Sequence, residues 1–85
     1  MSREGYKGIM NCYLLYSKKR LGEGLYSLEH IRREKQWWSI CNVRKAHKCA
    51  ITGKLIKKGE QAYRPITNGG NRYERIVPDY FEANK

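Results

Sequence analysis

Acid is the scarce ingredient of this chain. Its 85 residues hold eight Asp and Glu against eighteen Lys and Arg, a formal net charge of +10. Long apolar runs are missing as well. The longest mostly apolar stretch, Cys12 to Tyr16, falls far short of the ~20 residues that cross a bilayer as a helix, so no membrane partner is expected. The opening residues, Met-Ser-Arg-Glu-Gly-Tyr, lack the apolar stretch of a secretory signal. Cysteine is sparse and odd in number, at three, which argues against a disulfide framework and for a reducing compartment. A cytoplasmic location is the expectation. Catalytic patterns are absent too. There are no paired carboxylates at acid–base spacing, and Gly22-x-Gly24 reads as a turn rather than a phosphate cradle. A Cys–His pair built from Cys41 or Cys49 with His47 would have no third group to orient it. The chain therefore reads as non-enzymatic and without a cofactor.

What is present in excess points to a partner. A chain of this length is one domain, residues 1–85, with a small core; 40% hydrophobic and 31% charged residues suit a folded globule. Ten unbalanced positive charges repel one another, and a polyanion relieves that repulsion. Nucleic acid is the commonest polyanion, since each phosphate neutralised releases a counterion and adds affinity regardless of sequence. The charge is also clustered. Lys18, Lys19 and Arg20 form one block, and Arg32, Arg33 and Lys35 another. Between Arg44 and Lys58, fifteen residues carry Arg44, Lys45, Lys48, Lys54, Lys57 and Lys58 with no acid among them. These six are candidate phosphate contacts.

Local patterns give a coarse architecture. Ile9 to Tyr16 is rich in β-formers and reads as a first strand, followed by a turn at Leu21-Gly-Glu-Gly. Ser27 is a good N-cap, and Leu28, Ile31, Lys35 and Trp38 follow helical spacing, which predicts a helix from about Leu28 to Gln36. Trp37 to Val43 and Lys48 to Thr52 read as strands, with turns at Thr52-Gly53-Lys54 and at Gly59. Gln61 to Ile66 and Arg72 to Val77 flank Thr67-Asn68-Gly69-Gly70-Asn71, and Asn-Gly between β-rich runs predicts a tight hairpin. Asp79 to Ala83 reads as a last helical turn. The expected fold is α+β: a small, bent antiparallel sheet of about four strands with one helix packed on one face. Its expected core is Ile9, Leu14, Leu28, Ile31, Trp38, Ile40, Val43, Ile51, Ile56, Tyr63 and Ile76. Of the adjacent pair Trp37 and Trp38, the latter faces inward on this reading.

The segment from His47 to Arg64 has a more particular pattern. Cys49, Gly53, Ile56, Lys58, Gly59, Glu60 and Arg64 fall where small treble-clef and zinc-ribbon domains, many of them phage or mobile-element proteins, place Cys-x-x-Cys-Gly-Lys-x-Ile-x-Lys-Gly-Glu-x-Tyr-x-Arg, and Tyr63 stands one position after the tyrosine of that pattern. The stretch resembles the opening knuckle of those domains over about 18 of the 85 residues. In that family the glycine after the second cysteine lets backbone N–H groups turn toward metal-bound thiolates. Here Thr52 stands in place of the second cysteine, and Arg75 to Lys85 holds neither Cys nor His for a second pair. Cys12, Cys41, His47 and Cys49, with His30 in reserve, are the available ligand types. A structural zinc site needs four ligands, generally as two close pairs. The expectation is a metal-free, degenerate zinc-finger knuckle with Cys49 packed as a small hydrophobe.

Aromatic residues lie among the cations. Tyr63 and Tyr73 fall one on each arm of the predicted hairpin, near Arg64, Arg72 and Arg75. Exposed rings beside cations on a sheet are a common means of holding single-stranded nucleic acid, whereas tyrosines of a small sheet also serve as core. Together these features lead to an expected nucleic-acid-binding accessory protein, DNA or RNA being its partner. The expected contacts are the six cations above with Arg64, Arg72, Tyr63 and Tyr73. The alternative is an adaptor or inhibitor docking on the acidic surface of a host enzyme, with charge steering the encounter.

Overall fold

The fold is given by a computed structural model that describes residues 9–10 and 12–82. Seven strands and one short helix follow one another: β1 Ile9–Met10, β2 Tyr13–Gly22, β3 Leu25–His30, β4 Glu34–Asn42, β5 His47–Lys48, β6 Leu55–Ile56, β7 Gln61–Pro65 and α1 Pro78–Glu82. β1, β2, β3, β4 and β7 form one antiparallel sheet in that order, and β5 pairs with β6 as a separate two-stranded ribbon. Four of the strands in the main sheet are five residues or longer. The chain is thus an α+β domain, mostly sheet, with one helix on one face. Among the described residues no helix is long and apolar enough to cross a membrane.

Side-chain alternation explains the strands. On β4, Gln36 and Trp38 are buried while Lys35 and Trp37 are exposed, the period-two pattern of a sheet with one covered face. The register runs unbroken from Leu25↔Ser39 to His30↔Glu34 between β3 and β4, and from Trp38↔Pro65 to Asn42↔Gln61 between β4 and β7. It therefore places Tyr26, Leu28, Trp38 and Tyr63 on a common side. Phe81 of α1 closes that side, its ring centroid 4.8 Å from those of Tyr26 and Tyr63 and 6.3 Å from that of Trp38. Pro78 opens the helix, where its missing N–H has no intrahelical partner to lose.

A buried polar chain anchors the segment after β7. Asn71 donates to the Gln36 Oε1 and to the Tyr13 hydroxyl, both at 2.8 Å, and Tyr13 in turn donates to the Glu74 carboxylate. The core is Tyr13, Tyr26, Leu28, Trp38, Val43, Cys49, Ile51, Ile56, Ala62, Tyr63, Ile76, Val77 and Phe81.

Three local expectations are corrected. Leu28 to Gln36 is not a helix: it spans the end of β3, a turn, and the start of β4. Ser27 is a buried mid-strand residue rather than a cap. Arg33 N–H donates to the His30 carbonyl to close the turn, Glu34 takes a φ of 62°, and Ile31 is 51% exposed. Helix propensity is a weak force, and two long strands pairing over six rows override it. The helix of this fold is instead the last one, Pro78–Glu82, near the predicted Asp79–Ala83 turn; Ala83 lies outside the described residues.

Nor is there a tight hairpin at Asn68-Gly69. Gly69 is not among the glycines of positive φ, and the two flanking segments meet only at the bridge Tyr63↔Ile76. The glycines there serve close approach: the Arg33 guanidinium lies against Gly69 and Gly70, where a Cβ would come within 2.9 and 2.7 Å of it. The first strand, finally, is broken at Cys12 (φ 75°) and continues through the basic block to Gly22. Leu14 and Ile40 are only partly buried, and the side chain of Ile9 lies outside what is described.

Candidate functional site

The face of the sheet away from α1 carries the chemistry. Alternation along β4 turns Lys35, Trp37, Ser39 and Cys41 to this side, and the pairing Ser39↔Arg64 sets Arg64 beside them. Because Tyr63 and Ile76 bridge with their side chains in the core, their neighbours Arg64 and Arg75 fall on the outer side. The link from β4 to β5 supplies Arg44 and Lys45, and the start of β5 supplies His47. The link is held in place by Val43, whose N–H donates to the Glu60 carbonyl and whose carbonyl accepts from Gly59 N–H, both at 2.9 Å.

These elements enclose a cleft of about 500 Å³ lined by Arg44, Lys45, His47, Arg64, Tyr73 and Arg75, with Cys41 to Val43. Four permanent cations line it, and among the described residues no carboxylate does. Its charge is therefore uncompensated from within. Arg75 Nη1 donates to the carbonyls of Arg72 (3.1 Å) and Glu74 (2.8 Å), while its Nε is buried without a partner, a donor whose lost hydration nothing offsets. Arg72 lies over the Tyr73 ring at 4.7 Å from its centroid. A hydrogen bond from Arg72, and then its charge, hold the 65% exposed Tyr73 hydroxyl below its usual value. Burial, then the charges of Arg75 and Lys45, push His47 below the ordinary histidine value, so it is neutral at pH 7.

The predicted contacts divide. Arg44, Lys45, Arg64 and Tyr73 meet in the cleft, with Arg72 stacked beside it. Lys57 and Lys58 sit on the turn that Val43 and Asn42 fasten next to Arg44. Lys48 and Lys54 do not join them. Lys48 lines a separate hollow with Cys12, Cys49, Ala50 and Glu74, and Lys54 lies 3.9 Å from the Asp79 carboxylate, both side chains being well exposed. Tyr63 cannot stack a base. It is fully buried and its hydroxyl donates to Glu82 at 2.7 Å; the spacing that sets it among cations along the chain also sets it on the inward side of β7. Arg75 and the 52% exposed Trp37 are the members of this face that the charge pattern alone does not single out. The outward phase of β4 is the signal that finds Trp37, and the bridge of Ile76 to Tyr63 is what turns Arg75 outward.

The cysteines and histidines pair differently from their sequence spacing. Cys41 and His47 share the basic cleft, whereas Cys12 and Cys49 share the hollow beside Lys48. β5 ends at Lys48, and the chain turns inward at Cys49, so His47 and Cys49 part company. His30 packs edge-on to Tyr13 in the core, its Nδ1 accepting from Arg32 N–H. Among the described residues no three His, Cys, Asp or Glu side chains stand close enough together to hold a metal ion. Cys49 Sγ instead accepts N–H groups from Thr52 (3.3 Å), Ile51 and Val77 (both 3.4 Å). Burial alone would raise this thiol, but the Thr52 hydroxyl and the three amides outweigh it and bring it below the usual value. Gly53, at a φ of 78°, lets the chain turn back so that Lys54 can accept from Cys49 N–H.

Comparison with models of known protein families, with curated proteins and with solved structures gives no match.

Proposed function

We propose that this chain is a non-enzymatic nucleic-acid-binding protein of the cytoplasm that seats a phosphate backbone in the cleft of Arg44, Lys45, Arg64 and Arg75. The observation that carries this reading is the convergence of four cations from three separate chain segments on one hollow with no carboxylate in its lining. Phosphate supplies the missing negative charge and accepts from guanidinium forks in the geometry that arginine favours. The three cysteines are all free thiols, as suits a reducing compartment.

The test is binding of a labelled oligonucleotide across salt concentrations. The logarithm of affinity should fall linearly with the logarithm of salt, with a slope of about −0.7 to −0.9 per phosphate neutralised. Replacing Arg44, Lys45 and Arg64 together by Glu should abolish binding while leaving the melting temperature nearly unchanged, because exposed charges contribute little to stability. Replacing Lys54 by Glu, on the helix side of the molecule, should weaken it far less. Salt-insensitive binding, or a triple reversal without effect, would overturn the reading and favour a protein partner.

A further inference from the structure

The outer face of the sheet continues beyond the basic cleft to a second hollow, and the two are joined along β4. Lys35, Gln36, Trp37, Ile66, Thr67 and Arg33 line this hollow, which has a volume of about 410 Å³. Its centre is apolar and open: Trp37 is 52% and Ile66 53% exposed, and Ile66 N–H donates to the Trp37 carbonyl at 2.8 Å, so the two sit side by side. Its rim is cationic, with Arg33 and Lys35. Glu29, opposite Lys35 in the register, offsets that lysine at one edge. From Trp37 the path passes Ser39 and its partner Arg64 and reaches Cys41 and the basic cleft, two residues per step along one strand. From Lys35 to Cys41 it measures about 20 Å at ~3.3 Å per residue.

An indole and a phenol, one at each end of a track of cations, match a chain that offers bare base faces and phosphates in alternation. We infer that this face binds single-stranded rather than duplex nucleic acid, with Trp37 stacking a base in the second hollow while Arg44, Lys45, Arg64 and Arg75 hold the backbone and Tyr73 the other end. The inference rests on the nucleic-acid reading above and adds the strandedness of the ligand and a subsite for it. A duplex keeps its bases stacked on one another and presents no face to Trp37, so the second hollow adds nothing to duplex binding. Every base has such a face, so the subsite tolerates sequence. The neighbouring Trp38 cannot serve, being fully buried beneath α1.

The experiment uses a single strand of about 12 nucleotides, within the range that small sheet domains hold, and a duplex of the same sequence. The single strand should bind more tightly and quench the tryptophan fluorescence of the protein. Trp37→Ala should weaken single-strand binding about tenfold, the scale of one lost base stack. It should leave duplex binding unchanged, whereas Trp37→Phe should retain most of the affinity. Because Trp38 is sealed in the core, the fluorescence of the Trp37→Phe protein should no longer respond to the strand. Equal affinity for duplex and single strand, or a Trp37→Ala protein that binds as well as the parent, would overturn the inference and leave the basic cleft as a general phosphate site. Absence of salt-dependent binding to either form would overturn both readings.

Discussion

The hydroxyl of Tyr13 donates to the carboxylate of Glu74, a residue 61 positions further along the chain. Tyr13 is fully buried, packed edge-on against His30 and Trp38, and the same hydroxyl accepts from Asn71. Strand β2 thus fastens the segment that carries Arg72, Tyr73 and Arg75, and through it one wall of the basic cleft. Tyr13→Phe keeps the ring and removes both hydrogen bonds, leaving the Asn71 amide with one donor unpaired in a buried place. A loss of about 1–3 kcal/mol is expected from urea unfolding. Oligonucleotide affinity should fall in the same variant, since the wall loses its tether. An unaltered unfolding midpoint would show that the network contributes nothing net.

Helix α1 has only five residues, too few to be stable alone. It is held by Phe81, which is fully buried against Tyr26, Tyr63 and Trp38. Phe81→Ala should therefore cost about 3–5 kcal/mol, a large fraction of the stability available to so small a domain. The checks are calorimetry and the exposure of Trp38 by fluorescence. If the variant melts near the parent temperature, the helix is not what closes the core.

What the sequence disclosed, and what it hid, follows from the range of the forces involved. The Glu23-Gly24 turn, the strand around Trp38, the turns at Gly53 and Gly59 and the short helix near Asp79 depend on residues close in sequence, and each was legible. The inward choice of Trp38 over Trp37 holds, but through strand alternation on β4 rather than through the helical spacing that suggests it. The stretch from Leu28 to Gln36 reads as a helix because Ser27 offers a cap and Leu28, Ile31 and Trp38 fall at helical spacing, while the pairing of β3 with β4 that decides the matter spans the whole segment. The basic cleft was half legible. Arg44 and Lys45 announced themselves by charge density. Arg75 became a wall only because Ile76 bridges Tyr63, and Tyr63 left the site for the core through that same contact. Lys48 and Lys54 show the converse, since cations adjacent in sequence need not share a face.

Alkaline titration offers a check on the core that needs no mutation. Burial pushes the hydroxyls of Tyr13, Tyr63 and Tyr80 above the ordinary tyrosine value, with Glu74 adding to the first and Glu82 to the second; Tyr80 reaches about 12. In the unfolded chain these groups ionise near pH ~10. Above that pH the unfolded state sheds protons that the folded state keeps, so a stabilisation complete below pH ~10 is lost as pH rises through the folded values. The urea midpoint should be level from about pH 8 to 9.5 and fall beyond ~10. Tyr73, lowered by Arg72, should ionise first in the folded protein. If all seven tyrosines titrated together while the fold persisted, the burial of these three would be wrong.

His47 makes the basic cleft sensitive to mild acid. In the free protein its imidazole is held below the usual value by burial and by the charges of Arg75 and Lys45, and Arg44 and Arg64 line the same hollow. A phosphate seated there reverses the local potential and raises the imidazole toward or above its ordinary value, so binding and proton uptake favour each other. Affinity should therefore rise as pH falls through the bound-state value of His47 and level off below its free-state value. Binding should thus be tighter at about pH 5.5 than at about pH 8. His47→Gln should flatten this profile without abolishing binding at pH 8. His30→Gln should leave the profile alone, because His30 lies in the core against Tyr13 rather than in the cleft. A pH profile unchanged by His47→Gln would show that phosphate does not approach the imidazole, and the backbone would then have to run on the Arg64 side of the cleft.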